Sequence, residues 1–201
     1  MELIKQSALY SLLLIIAIPL IGFVIHLLVS GLLARLFGII DRSGRLFLLI
    51  ANTLTFPGVM YYELSHALFA LITGAKVNKI VLYNKEGDHL GYVNFSPRGN
   101  IILRSLQLSF SACAPVIMGL IGECVIIHVF RTVTPLPVWG YILLGFLLFC
   151  IILHMDMSGA DIKGYVRGIP FFFLLFMILF YLTLSSGATP VISLPFAGGQ
   201  P

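Results

Sequence analysis

Residues 56–74 read Phe56-Pro57-Gly58-Val59-Met60-Tyr61-Tyr62-Glu63-Leu64-Ser65-His66-Ala67-Leu68-Phe69-Ala70-Leu71-Ile72-Thr73-Gly74. One acid and one imidazole interrupt a run that is otherwise apolar or small. The composition of the whole chain says what kind of run this is. Of 201 residues, 59% are hydrophobic and 10% are charged. A soluble domain carries about 25% charged residues, so this chain cannot cover a water-facing surface. It reads as an integral membrane protein surrounded by membrane lipid. A net charge of +4 is too sparse for a nucleic-acid surface, and no nucleic-acid partner is expected. An ionisable side chain in the bilayer is costly and seldom kept without a role, which makes Glu63 and His66 the first candidates for function.

A helix needs about 20 apolar residues to cross a hydrocarbon core of about 30 Å. Five stretches qualify, at about 8–33, 47–73, 101–130, 138–154 and 169–184. The quoted segment lies in the second, where Pro57-Gly58 reads as a kink tolerated between neighbouring helices. Ala114-Pro115 is a break signal in the third. The first stretch is too long for a signal peptide and no small-residue cleavage site follows it, so it is expected to remain as a span. Little order is expected in the uncharged tail. Between the second and third spans, Val77 to Tyr83 and Leu90 to Phe95 are β-prone, and Asn84-Lys85-Glu86-Gly87-Asp88 is turn chemistry. The fold class is therefore an all-α membrane protein, one transmembrane domain over residues 1–201. About five transmembrane helices carry a small membrane-surface β-hairpin at about 77–96.

Five spans place eight basic residues on one side (Lys5, Lys76, Lys79, Lys85, Arg98, Arg104, Lys163, Arg167) and four on the other (Arg35, Arg42, Arg45, Arg131). The richer side is expected to be cytoplasmic, so the N-terminus lies inside and the C-terminus outside the cell membrane. This topology brings Glu63, His66, the hairpin and the carboxylates Asp156 and Asp161 together near one membrane face. Glu123, His26 and His128 fall in the outer halves of their spans, away from that face, and Glu123 could pair with one of the histidines. Cys113, Cys124 and Cys150 lack metal-ligand spacing and read as small buried hydrophobes.

On a helix, positions 62 and 66 share a face and Glu63 lies beside them. Two ligands at i and i+4, with a glutamate after the first, is the layout of a zinc hydrolase helix. Two imidazoles one turn apart grip one Zn²⁺, and the glutamate takes a proton from the metal-bound water. Here the first ligand position is Tyr62, a phenol with an ordinary pKa of about 10 and a poor zinc ligand unless ionised.

The segment from Phe56 to Val77 resembles the active-site helix of site-2-protease-type intramembrane zinc metalloproteases, with the first His of the His-Glu-x-x-His motif replaced by Tyr62. In that family a β-hairpin follows the motif, and a later span brings an aspartate as third zinc ligand. The stretch His154-Met155-Asp156-Met157-Ser158-Gly159-Ala160-Asp161 is the counterpart here, and Ala112-Cys113-Ala114-Pro115 is similar to a small-residue–proline break common in the family. The resemblance covers about half the chain, from Phe56 to Lys163.

The resemblance implies peptide-bond hydrolysis in or near the membrane. Zn²⁺ would be held by His66, Asp161 and a third group among Tyr62, Asp156 and His154, with Glu63 as catalytic base. The substrate would be a membrane protein or peptide, which the hairpin edge could pair with as a strand. Each candidate has a structural alternative. Ser158-x-x-Asp161 is close to a capping box, though a carboxylate has two oxygens and can cap and ligate at once. Asp156 and His154 read equally as interfacial residues, and Glu63 with His66 as a buried pair without metal. The alternative for the whole protein is a catalytically inactive family member, a pseudoprotease acting as a membrane scaffold or binding protein. Tyr62 is its main support. A small transporter is weaker, because five spans without an inverted repeat offer little for alternating access.

Overall fold

A computed structural model of the chain describes residues 1–40, 50–84, 90–133 and 135–187. Among these are five α-helices and one two-stranded antiparallel sheet. Helix α1 is Glu2–Ile40 and is followed by a π-helical turn, Ile50–Leu54. Next come α2, Phe56–Ile72, and the strands β1, Lys76–Val81, and β2, Tyr92–Ser96. Helices α3, Ile101–Thr132, α4, Val138–Leu153, and α5, Gly159–Ser185, complete the order. Three of them, α1, α3 and α5, are long and apolar enough to cross a membrane.

The bundle is built around α3, which packs against all four other helices. Its buried face is small and weakly polar: Ser109, Ser111, Ala112, Cys113, Ala114, Pro115 and Gly119. Small residues let helix backbones approach where lipid supplies no hydrophobic drive between helices. Gly168 on α5 shows the closeness, since a Cβ there would run into Ser109 Oγ and the Ser105 carbonyl of α3. Helix α1 meets its neighbours along the stripe Ser7, Ser11, Ile15 and Gly22, at helical spacing. The two serines bury their hydroxyls without penalty, because each donates to the carbonyl four residues back, at 2.7 Å.

The prolines are used rather than merely tolerated. Proline removes the amide that would bond the carbonyl four residues earlier. Pro19 thereby frees the Ile15 carbonyl, which accepts from the buried Tyr165 hydroxyl of α5 at 2.9 Å. Pro115 frees the Ser111 carbonyl, which accepts from His66 Nδ1 of α2 at 2.7 Å. Neighbouring helices satisfy the orphaned carbonyls, and α3 runs unbroken through the expected break at Ala114-Pro115. The expected kink at Pro57 is also revised. Helix α2 starts at Phe56, so Pro57 sits in its first turn, where a missing amide costs nothing.

Helix α2 is capped by Thr73, and Gly74, with a φ of +86°, turns the chain into β1. Lys76 pairs with Ser96 and Val81 with Tyr92, with an irregularity at Asn78 between Val77 and Lys79. Gln107 of α3 is fully buried and ties both ends of the hairpin to the bundle. Its amide donates to the Thr73 carbonyl at 2.9 Å and its oxygen accepts from the Arg98 amide at 2.7 Å. The expected hairpin turn at Lys85 to Asp88, Arg42 and Arg45 of the orientation argument, and the tail after Gly187 lie outside the described residues.

The connection between α4 and α5 decides where the site lies. Helix α4 has 16 residues and α2 has 17, about 24 and 26 Å at 1.5 Å per residue. Both are shorter than the 39-residue α1 and the 32-residue α3. The connection therefore falls beside the middle of the long helices. A Cβ on Gly119 of α3 would lie 2.8 Å from Met155 Cβ, and one on Gly22 of α1 would lie 3.1 Å from the Met155 carbonyl. Motif and carboxylates meet part way along the bundle rather than at its end.

Candidate functional site

One cleft of about 520 Å³ opens at this level, between the N-terminal half of α2, the start of α5 and strand β2. All six residues singled out from the sequence line it: Tyr62, Glu63, His66, His154, Asp156 and Asp161. Leu90, Val93 and Phe95 supply an apolar wall from the hairpin side.

Asp161 is the centre of the polar floor. Its Oδ2 accepts from the Ser158 amide at 2.9 Å and the Ser158 hydroxyl at 2.6 Å, while Ser158 Oγ accepts from the Asp161 amide at 3.2 Å. This is the reciprocal capping box that satisfies the first turn of α5. The same Oδ2 accepts a short hydrogen bond from the Tyr62 hydroxyl. Oδ1 is left to face His66 Nε2 at 3.6 Å. The cap thus uses one oxygen and leaves the other toward the cleft.

His66 is 6% exposed and held on three sides. Its ring packs edge-on to Tyr62, with centroids 4.6 Å apart at 81°. The Ser111 hydroxyl donates to its backbone carbonyl at 3.1 Å. A carbonyl can only accept, so Nδ1 carries a proton in the bond to Ser111, and Nε2 is turned toward Asp161 Oδ1.

Glu63 is also 6% exposed. Its carboxyl makes no hydrogen bond to a described residue, and the oxygens remain open to the cleft. Gly91 packs against its stem. The hairpin backbone crosses directly over the glutamate stem, and a Cβ on Gly91 would lie 2.8 Å from Glu63 Cγ.

The remaining candidates have other partners. His154 Nε2 lies 2.9 Å from Thr55 Oγ1. Asp156 Oδ1 lies 3.6 Å from His26 Nδ1, both side chains being about one-third exposed. Burial raises the Asp156 carboxyl above the ordinary carboxylate range, and His26 opposes that shift. This corrects the expectation that His26 lies away from the site. Helix α4 ends beside mid-α1, so a residue two-thirds along α1 reaches Asp156. Among the described residues, Glu123 pairs with neither histidine and its Oε1 is buried without a hydrogen-bond partner. Cys113 and Cys150 are buried as expected, but Cys124 is exposed.

Among the described residues, no group of three or more His, Cys, Asp or Glu side chains is gathered as a metal centre. The donor chemistry agrees with that grouping. His66 Nε2 and Asp161 Oδ1 face each other, but a catalytic zinc site has three protein ligands. The third place is occupied by Tyr62, whose hydroxyl is committed as a donor to Asp161. As arranged, the residues do not fit a catalytic zinc ion.

Sequence reasoning missed Ser111, Thr55 and Gly91, and discounted His26. A signal for Ser111 was present: Pro115 stands four residues later and orphans its carbonyl. No family model, curated protein or solved structure matches the chain.

Proposed function

We propose that this chain is a membrane protein of the site-2-protease type that captures a peptide or membrane-protein segment in the cleft without hydrolysing it. The observation that carries this reading is the hydrogen bond from Tyr62 to Asp161. It joins the position of the missing ligand to the carboxylate that would share it, so a proton closes the site where the family motif calls for a metal. The apolar hairpin wall above a buried polar floor is suited to an extended segment with exposed backbone. All five helices then belong to the membrane domain, α4 stopping and α5 starting part way along the long helices. The excess of basic residues favours a cytoplasmic N-terminus in the cell membrane, and the C-terminal part of α5, whose Phe180 packs on Tyr10 of α1, lies on the same side as that N-terminus.

A second reading is favoured by one specific feature. His66 donates Nδ1–H to a backbone carbonyl and turns Nε2 toward Asp161, the outer-shell arrangement usual for a zinc-bound histidine. On that reading the protein is an intramembrane metalloprotease that holds Zn²⁺ through His66 and Asp161, with Glu63 as base and Tyr62 as an unusual third ligand.

Metal content separates the two. Protein purified in detergent without chelator is expected to hold substoichiometric zinc, and Tyr62→His is expected to gain one zinc per chain. Stoichiometric zinc in the parent protein, lost in His66→Ala, would overturn the non-hydrolytic reading in favour of the second.

A further inference from the structure

We infer that the ligand of this cleft is a segment bearing a basic side chain, whose cationic end pairs with Glu63. The inference rests on the capture reading above and adds the chemistry that selects the ligand.

It starts from the inventory of the floor. Among the described residues, three carboxyl groups line the cleft, Glu63, Asp156 and Asp161, and no Lys or Arg does. Two of the three are already engaged. Asp161 accepts from Tyr62 and Ser158 and faces His66. Asp156 faces His26. Glu63 is different: it is more than nine-tenths buried, forms no hydrogen bond to a described residue and opens on the cleft. A buried carboxyl without a partner is expensive to ionise, and a cation brought to it stabilises the charged form.

The walls narrow the class of cation. Val59, Leu90, Val93 and Phe95 are apolar and line the same cleft as the carboxyl group. A bare, hydrated ion gains nothing from them. A lysine or arginine side chain does, because its methylene stem covers apolar surface while its head reaches the charge. Gly91 keeps the route open. Its lack of a side chain lets the hairpin rest on the glutamate stem instead of on the carboxyl group.

The test compares two labelled peptides, acetyl-Val-Lys-Val-amide and its norleucine counterpart, by fluorescence anisotropy on the full chain in detergent with EDTA. They match in length and stem and differ in the ammonium group. The lysine peptide is expected to bind about tenfold or more tightly, the low end for a buried charge pair. The preference is expected to vanish in Glu63→Gln and to survive in Asp156→Asn. Equal binding of the two peptides by the parent protein overturns the inference and leaves peptide capture standing. So does a preference that persists in Glu63→Gln, its folding checked by thermal unfolding. Binding of neither peptide overturns both the inference and the capture reading. The metal measurement bears on hydrolysis alone.

Discussion

Asp156 and Asp161 stand five residues apart, on either side of one short connection, and the bundle uses them differently. Asp161 occupies the third position of α5. Three donors converge on one of its oxygens, and the other faces a buried histidine. Asp156 precedes the helix, points to α1 and meets one imidazole that is about one-third exposed. The difference comes from the capping geometry. A residue at the third helical position has its carboxyl turned back over the first turn by the Ser158 amide, and that direction leads to α2. A residue before the cap has no such constraint and takes the neighbour that packing supplies. Position relative to a helix start, more than proximity in sequence, makes one aspartate central and the other peripheral.

That contrast can be broken experimentally. Asp161→Ala should have the largest effect. It removes the carboxyl half of the capping box and leaves the Tyr62 hydroxyl and the Ser158 amide without their acceptor, costing about 2–4 kcal/mol, read as a lowered Tm in detergent. Tyr62→Phe removes one donor and keeps the ring against His66, so about 1–2 kcal/mol is expected. A Tyr62→Phe variant as damaged as Asp161→Ala would make the phenol, and not the cap, the organiser of the floor.

Pro115→Ala sharpens the comparison from the α3 side. It returns an amide to compete for the Ser111 carbonyl, with a stability change under about 1 kcal/mol. The informative readout is histidine ¹⁵N NMR. The parent should show His66 as the Nδ1–H form, and the variant a mixture of forms. An unchanged signal would mean that packing against Tyr62 alone orients the ring. Asp156→Ala should matter least, about 0–1 kcal/mol for a partly exposed pair. Equal losses for the two aspartates would abolish the distinction between them.

Much of the site was legible in the chain. Tyr62, Glu63 and His66 declare themselves by spacing, because the helical period is local. The Ser158-x-x-Asp161 pattern is local for the same reason, and its two oxygens divide between cap and cleft as a carboxylate allows. Hairpin strands flanking a polar turn follow from residue preferences alone. Other features were not legible. His26 is 130 residues from Asp156, and their meeting depends on α4 being shorter than α1. The hold of Gln107 on the hairpin and that of Gly91 on Glu63 depend on how closely separate elements approach. The prolines at 57 and 115 were read as kink and break. Each effect is decided by surroundings, by where a helix starts or by which side chain fills the freed carbonyl.

The sequence by itself determined the apolar helices, the hairpin and the identity of the ionisable side chains, since these depend on composition and short-range periodicity. Only the tertiary structure decided that Tyr62 closes on Asp161, that His66 is oriented by the Ser111 carbonyl, and that Glu63 has no hydrogen-bond partner among the described residues. The physical reason is that a buried polar group is governed by the donors and acceptors within about 3 Å of it. In this bundle those come from helices distant in the chain.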